Sequence, residues 1–312
     1  MYCLKSLLLA VVLLLLLLTP AGAQAPGSSP TATTPSETDA RIASFNDPHM
    51  SWVPTTSQRK QLLVFLPGTF GKPRERFPLA ETAAALGYHV ISLMYPDDVA
   101  AQVACSKSDN PDAHMTFRLA LIQGGNYGDM RISQADSIEN RLTKLLIYLT
   151  AKQPNSGWEQ YLDKDKKIDW QKIAVSGHSQ GGGHAYVISK FHKVARVITF
   201  GSPKDYSFYF NRPAKGFDSD TRTPLDRYFA FNHVKDPKGP YAREVEILQQ
   251  IGLTKLGVAM VDNTVNYNHA HVLFTDVPIN GSNPNLYHGS VLNADLPVCL
   301  PVWRYMLSEP VQ

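Results

Sequence analysis

The sequence lacks most of the residue patterns that bind metals, cofactors and nucleic acids. Cysteine occurs three times in 312 residues, which excludes a disulfide-rich scaffold. The spacings C-x-x-C and H-E-x-x-H and a Walker-type loop do not occur, so we expect no metal ion and no cofactor. The formal net charge is only +3, and we therefore expect no nucleic-acid partner.

A long apolar run occurs only at the start of the chain. Leu7 to Leu18 is apolar throughout, Lys5 is the one charge before it, and the small residues Ala21 to Ala23 follow it. The run is shorter than the roughly 20 residues that cross a bilayer. We predict a cleaved signal peptide over residues 1–23, a secreted or periplasmic protein, and no stable membrane anchor.

Residues 24–40 are rich in proline, serine and threonine and have no apolar periodicity, which predicts a disordered linker. The whole chain is 44% apolar and 18% charged, so residues 41–312 suffice for one domain with a large core. The oligomeric state stays open.

Two cysteines remain after the signal peptide, Cys105 and Cys299. In an exported protein they can form a disulfide, but two distant cysteines are not a framework. A disulfide and two free buried thiols are both compatible with the sequence.

Apolar strand patterns alternate with amphipathic helical patterns from residue 62 onward. This alternation predicts an α/β fold with a doubly wound, mostly parallel sheet, whose sites lie beyond the carboxyl ends of the strands. Residues 97–131 are predicted to be a long irregular loop or cap. Strands are predicted at 62–66, 89–94, 173–175, 195–200, 227–231 and 271–275, and helices at 77–86, 136–149, 180–191, 244–251 and 301–307.

The segment Ile173–His184 reads as a strand, a sharp turn and a helix. The turn is Gly-His-Ser-Gln-Gly, with Ser179 at its centre and Gly177 and Gly181 two residues away on each side. A nucleophile on such a turn has a strained backbone, so its neighbours two positions away must have almost no side chain. We therefore predict that Ser179 is a nucleophile held above the sheet.

These motifs resemble the α/β-hydrolase superfamily, in its serine esterase and lipase-like branch. The resemblance covers residues 61–307 and rests on the turn around Ser179, on Leu66-Pro67-Gly68-Thr69 after an earlier strand, and on the order serine, acid, histidine. Such folds often carry two antiparallel strands at the front. Because little chain precedes Leu62, we expect a reduced N-terminal part and about six strands.

A serine nucleophile needs a histidine to take its proton and a carboxylate to fix that histidine. Asp236 follows the strand at 227–231, where similar hydrolases place the acid, and Asp205, after the preceding strand, is its rival.

The histidine is expected after the last strand, and His288 fits this position, with Gly289 leaving its loop free to bring the ring inward. His233 is kept as an alternative candidate for this base. His269 and His271 border or lie in the predicted strand and are better explained as structural histidines.

The oxyanion of an acyl-transfer intermediate needs two hydrogen-bond donors. The Gln180 amide, at the start of a helix, is one. The second is expected from Thr69 or Phe70, because Gly68 allows the chain to turn sharply before them; we choose Thr69.

The sequence therefore predicts an exported serine hydrolase that cleaves a carboxylic ester through an acyl-enzyme. Thioester, amide and acyl-transfer chemistry use the same machinery, and an inactive hydrolase fold that serves as a binding module is a further alternative. An aromatic insertion at 206–217, together with residues 97–131, either shapes a pocket for a small-molecule ester that is apolar or aromatic, or only caps the core.

Overall fold

The computed structural model describes residues 29–264 and 266–311, so the predicted signal peptide lies outside the described residues, as do residues 24–28 of the predicted linker. The strands are β1 (Thr31–Thr33), β2 (His49–Trp52), β3 (Leu62–Leu66), β4 (His89–Ser92), β5 (Gly125–Tyr127), β6 (Met130–Ile132), β7 (Ile173–His178), β8 (Arg196–Phe200), β9 (Tyr206–Ser207), β10 (Arg212–Pro213), β11 (Tyr228–His233), β12 (Val258–Met260) and β13 (Val272–Thr275). The helices are α1 (Pro35–Thr38), α2 (Phe77–Ala85), α3 (Ala101–Cys105), α4 (Ala113–Gln123), α5 (Ile138–Lys152), α6 (Gln180–Phe191), α7 (Tyr241–Ile251), α8 (Leu286–Ser290) and α9 (Cys299–Ser308). No helix in this part of the chain is long and apolar enough to cross a membrane.

One sheet dominates the described residues. Its nine strands are ordered β1-β2-β4-β3-β7-β8-β11-β13-β12. Strand β2 runs antiparallel to both of its neighbours, and all other neighbouring pairs are parallel. This topology confirms the predicted α/β fold with a mostly parallel sheet.

All six predicted strands are present, but the expected count of about six and the reduced N-terminal part are wrong. Strands β1 and β2 precede Leu62, and β12 adds an edge strand. Residues 31–38 of the predicted linker form β1 and α1, with Thr31 and Thr33 paired to Ser51 and His49 of β2. These residues are held by backbone pairing to a distant segment. No apolar pattern in the sequence indicates such pairing.

Alternating side chains bury the two faces of the sheet under different helices. In β3, Leu62, Val64 and Leu66 belong to one core, while Leu63 and Phe65 belong to another. The first core includes residues of α5, α6 and α7, and the second includes residues of α2 and α9. The sheet is therefore covered by helices on both faces, as a doubly wound fold requires.

Residues 97–131 are not the irregular loop that the sequence predicted. They contain α3, α4 and the hairpin of β5 and β6, and they form a small core of their own with Cys105 and Phe117.

Cys299, at the start of α9, lies in the core that α2 and α9 cover, whereas Cys105 lies in the small core; both cysteines are free and buried. The possible disulfide is therefore absent, because each thiol packs in a different core.

Helix α5 begins at Ile138, two residues after the predicted start at 136. Ser137 is its N-cap, and the Ser137 hydroxyl accepts the Asn140 amide at 3.2 Å. Asp136 instead pairs with the buried guanidinium of Arg141 at 2.7 Å.

Candidate active site

The carboxyl ends of the parallel strands meet at one edge of the sheet, and the predicted site residues gather there. Ser179 follows β7, Asp236 follows β11, and Thr69 lies just beyond β3. A cavity of about 530 Å³ opens at this edge, and Ser179, His288, Gln180 and Thr69 all line it.

The turn around Ser179 has the strained backbone that its glycines predicted. Ser179 has φ 52° and ψ −118° and is the residue before α6. A side chain on Gly177 would overlap the carbonyl of Gly181, and one on Gly181 would overlap the carbonyls of Leu66 and Pro67. Only glycine fits at either position, so the turn can bring Ser179 to the cavity wall.

Asp236 and His288 are in direct contact. The Nδ1 of His288 lies 2.6 Å from Oδ2 of Asp236, and the amide of Lys238 donates to Oδ1 at 2.8 Å. Burial alone would raise the pKa of Asp236, but the hydrogen bond from His288 and the charge of Lys204 outweigh it and hold the pKa well below its usual range. With Nδ1 bound to a carboxylate, Nε2 is the ring nitrogen left to accept a proton.

His178 contacts both the backbone and the ring of His288. Its Nε2 lies 2.9 Å from the backbone oxygen of His288, and the two ring centroids are 4.6 Å apart. His288 itself lies on the short helix α8 and not in an open loop. The flexibility of Gly289 is therefore not what places the ring.

The rival acid Asp205 has a different partner. Its two oxygens accept Nε and Nη2 of Arg118 at 2.7 and 2.8 Å, and both side chains are buried. Arg118 also donates from Nη1 to the carbonyl of Gln180 at 2.9 Å. Asp205 thus fixes the arginine that holds the first turn of α6.

The other candidate histidines are engaged elsewhere. His233 bonds to the backbone at Val277 and Lys235, and burial lowers its pKa. His271 lies 2.7 Å from the carbonyl of Tyr228 and is buried, and the exposed His269 pairs with Glu309. None of the three lines the cavity.

The amides of Gln180 and of Thr69 or Phe70 were predicted to form the oxyanion hole. Gln180 is the first residue of α6, so its N–H has no acceptor within the helix. The Phe70 amide donates to the Asp97 carbonyl at 3.0 Å and is therefore occupied. Of the two amides expected from this loop, Thr69 is the one left for a ligand.

The aromatic insertion at 206–217 does not line the cavity, contrary to the expectation that it shapes the pocket. Its Phe208 amide donates to the Ser106 carbonyl just after α3 at 2.6 Å, and its Phe217 ring stacks on Tyr186 of α6. The start of α3 and Arg118 do line the cavity, as expected for residues 97–131.

The cavity lining includes four cationic side chains, namely Lys72, Arg118, Lys204 and Lys238.

Three charged residues around the site were not predicted. Lys204 bonds to Asp236 at 2.9 Å and also to Glu244, while Arg118 holds Asp205. Lys204 could have been suspected, because it follows a predicted strand at the carboxyl edge. Arg118 and Glu244 carry no such signal, since they lie on helices whose packing brings them to the site.

No protein-family model matches the chain, and no curated protein matches it in sequence. Among solved structures, it is similar to an alpha-beta serine hydrolase homologue from Coxiella burnetii, with 14% identity, TM-score 0.43, and coverage of 91% of this chain and 98% of that one. It is also similar to an alpha/beta hydrolase enzyme from a Medee basin deep-sea metagenome library, with 16% identity, TM-score 0.42, and coverage of 80% and 81%. A third is a lidless a/b serine hydrolase from Xanthomonas campestris, with 10% identity, TM-score 0.39, and coverage of 80% and 84%.

These likenesses are too distant to assign an activity, and the strand order and the turn around Ser179 carry the fold assignment. The mostly parallel sheet has helices on both faces, and one of its central strands leads through a strained serine into a helix. A carboxylate and a histidine follow later strands and contact each other. The chain has the α/β-hydrolase fold.

Proposed function

We propose that the protein is a serine hydrolase that cleaves carboxylic esters through an acyl-enzyme. The observation that carries the proposal is the 2.6 Å contact between His288 Nδ1 and Asp236 Oδ2, with Ser179 and His288 both lining one cavity. A neutral imidazole fixed by a carboxylate is what a serine needs to become a nucleophile.

In the first half-reaction, Ser179 Oγ attacks the acyl carbon while His288 Nε2 takes the hydroxyl proton. The tetrahedral oxyanion is held by the amides of Gln180 and Thr69, each worth about 3 to 4 kcal/mol of transition-state stabilisation. The imidazolium, balanced by Asp236, then returns the proton to the departing alcohol oxygen. Water repeats the sequence and releases the acid from Ser179.

We further propose that the protein acts outside the cytoplasm, on the basis of the sequence of residues 1–23. The substrate is proposed to be a small-molecule ester, because the cavity of about 530 Å³ is of the size that holds one small ligand. The rim includes Phe70 and Val103, which are 70% and 83% exposed, so the apolar part of the substrate is proposed to lie against them.

Hydrolysis of p-nitrophenyl esters of rising acyl length, beside a peptide p-nitroanilide, tests the proposal. We expect turnover of esters and little of the anilide, and we expect Ser179→Ala to lower kcat by about a million-fold with the fold kept. A folded Ser179→Ala variant with more than a tenth of wild-type activity would exclude Ser179. A wild-type protein that binds esters but turns none over would support the binding module.

A further inference from the structure

Two buried charged side chains behind His288, Lys204 and Glu244, extend from Asp236 and are not used by the mechanism above. Oδ2 of Asp236 contacts both His288 Nδ1 at 2.6 Å and Lys204 Nζ at 2.9 Å. Lys204 also pairs with Oε1 of Glu244, on the first turn of α7. The side chains of Asp236 and Glu244 are each 1% exposed, and that of Lys204 is 10% exposed.

Lys204 creates an electrostatic problem for the proposed reaction. The carboxylate behind the histidine stabilises the imidazolium that forms in the transition state. A buried ammonium on the same carboxylate oxygen cancels that negative charge, so the imidazolium would form next to a neutral pair. At low effective dielectric such an uncompensated charge is costly.

Glu244 supplies the missing charge. When it is ionised, Lys204 is shared between two carboxylates, and the buried group carries one net negative charge before His288 is protonated. Protonation of His288 then brings the whole group to neutrality. We propose that Glu244, acting through Lys204, is a positioning residue that keeps the negative charge of Asp236 available to His288; this inference rests on the proposed function.

The surroundings of Glu244 make its charge sensitive to pH. Burial raises its pKa to about 7, against the effect of Lys204, which lowers it, while Asp236 raises it further. Its second oxygen, Oε2, is buried without a hydrogen-bond partner. Among the described residues, Lys204 and Asp236 are the charged groups that act on Glu244, with His288 beyond them.

The test combines four variants, Glu244→Gln, Lys204→Met, the double variant of both, and Glu246→Gln as the matched control on the same helix. We expect Glu244→Gln to lower kcat by about tenfold or more with KM unchanged, because one pKa unit of imidazolium stabilisation corresponds to tenfold. The double variant removes the ammonium together with the second carboxylate and should regain most of that loss. A purely structural role for the network would not produce this rescue.

The inference is overturned if Glu244→Gln matches Glu246→Gln, or if the folded double variant is no faster than Glu244→Gln. Should Glu244→Gln not fold, the double variant still decides, because it removes both charges of the pair and leaves neither one buried and uncompensated. The kcat of the double variant should rise with pH through one ionisation, whereas that of wild type should rise through two. A pH profile of kcat identical to that of wild type contradicts the inference.

The same variants can be compared without any substrate. The pH midpoint at which the ring resonances of His288 shift in NMR should fall by about one pH unit in Glu244→Gln and return in the double variant. An unchanged midpoint overturns this inference but leaves the proposed function untouched. If this midpoint moves as expected but wild type hydrolyses no ester, the proposed function has failed and the electrostatic coupling stands.

Discussion

At the scale of single residues, the environment of a carboxylate decides what it can do, and the sequence does not display that environment. Asp205 and Asp236 both follow buried strands of the sheet, and sequence position alone left them as rivals. In the structure their partners differ, since Asp205 binds Arg118 through both oxygens and Asp236 binds His288. This difference is why we propose Asp236 as the acid. Arg118 came from a segment predicted to be irregular.

We expect Asp236→Asn and Asp205→Asn to fail in different ways. Asp236→Asn should keep the fold and lower kcat by about ten-thousand-fold, because the amide cannot hold the histidine tautomer. Asp205→Asn should lower the free energy of unfolding by about 3 to 5 kcal/mol, because it leaves Arg118 as a buried unpaired charge.

Urea unfolding monitored beside ester hydrolysis at saturating substrate separates the two effects. A fully stable Asp205→Asn protein with a ten-thousand-fold lower kcat, beside an active Asp236→Asn protein, would place the acid at Asp205.

Asp97 offers a pH test on another residue. It is 2% exposed, Oδ2 has no partner, and burial raises its pKa to about 7 despite the opposing charge of Lys72. A carboxyl with a raised pKa stabilises the fold below its unfolded pKa, and this contribution is lost as the pH rises through the folded value.

The variant Asp97→Asn should therefore gain stability relative to wild type between pH 4 and pH 8, by up to about 4 kcal/mol. Urea unfolding at several pH values measures the difference. A difference between the two proteins that is flat with pH would contradict the assignment.

At the scale of elements, the predictable parts were those whose apolar pattern is strong and local. The predicted strands and the helices α2, α5, α6, α7 and α9 are all present, with ends shifted by a few residues at most. Elements that depend on distant partners were not predicted. Among them are β1, with the short sequence Thr-Ala-Thr paired to β2, and the edge strand β12, two of whose three residues are exposed.

The space around two glycines near the site, Gly181 of α6 and Gly289 of α8, predicts different outcomes for their substitution. Gly181→Ala should prevent folding or abolish activity, because its Cβ would overlap the backbone at Leu66 and Pro67. Gly289→Ala, next to His288, should fold and keep activity within a few-fold, because nothing lies within 4 Å of its Cβ. Replacing a helical glycine by alanine can also add about 0.5 to 1 kcal/mol of stability.

Soluble yield, Tm and kcat of the two variants provide the comparison. An active and stable Gly181→Ala protein would mean that the turn is built differently.

At the scale of the whole molecule, the two cysteines test whether the cores are packed as described. Burial raises the pKa of Cys105 to about 11 and that of Cys299 to about 12, so thiolate is scarce at neutral pH. Both should react with iodoacetamide at least about a hundredfold more slowly in the folded protein than in denaturant.

Non-reducing peptide mapping after denaturation should find both thiols alkylated, and a reducing agent should leave the Tm unchanged. A peptide that links the two cysteines would show that the cores of α3 and α9 are arranged differently.

The central claim is that this fold presents Ser179 as an activated nucleophile. The most direct measurement is reaction with a fluorophosphonate, followed by intact mass and peptide mapping of the wild-type, Ser179→Ala and His288→Gln proteins. The account predicts one adduct per wild-type chain, located at Ser179, none on Ser179→Ala, and labelling at least about a hundredfold slower on His288→Gln, which lacks the base. An unlabelled wild-type protein, or an adduct that persists in folded Ser179→Ala, would contradict it.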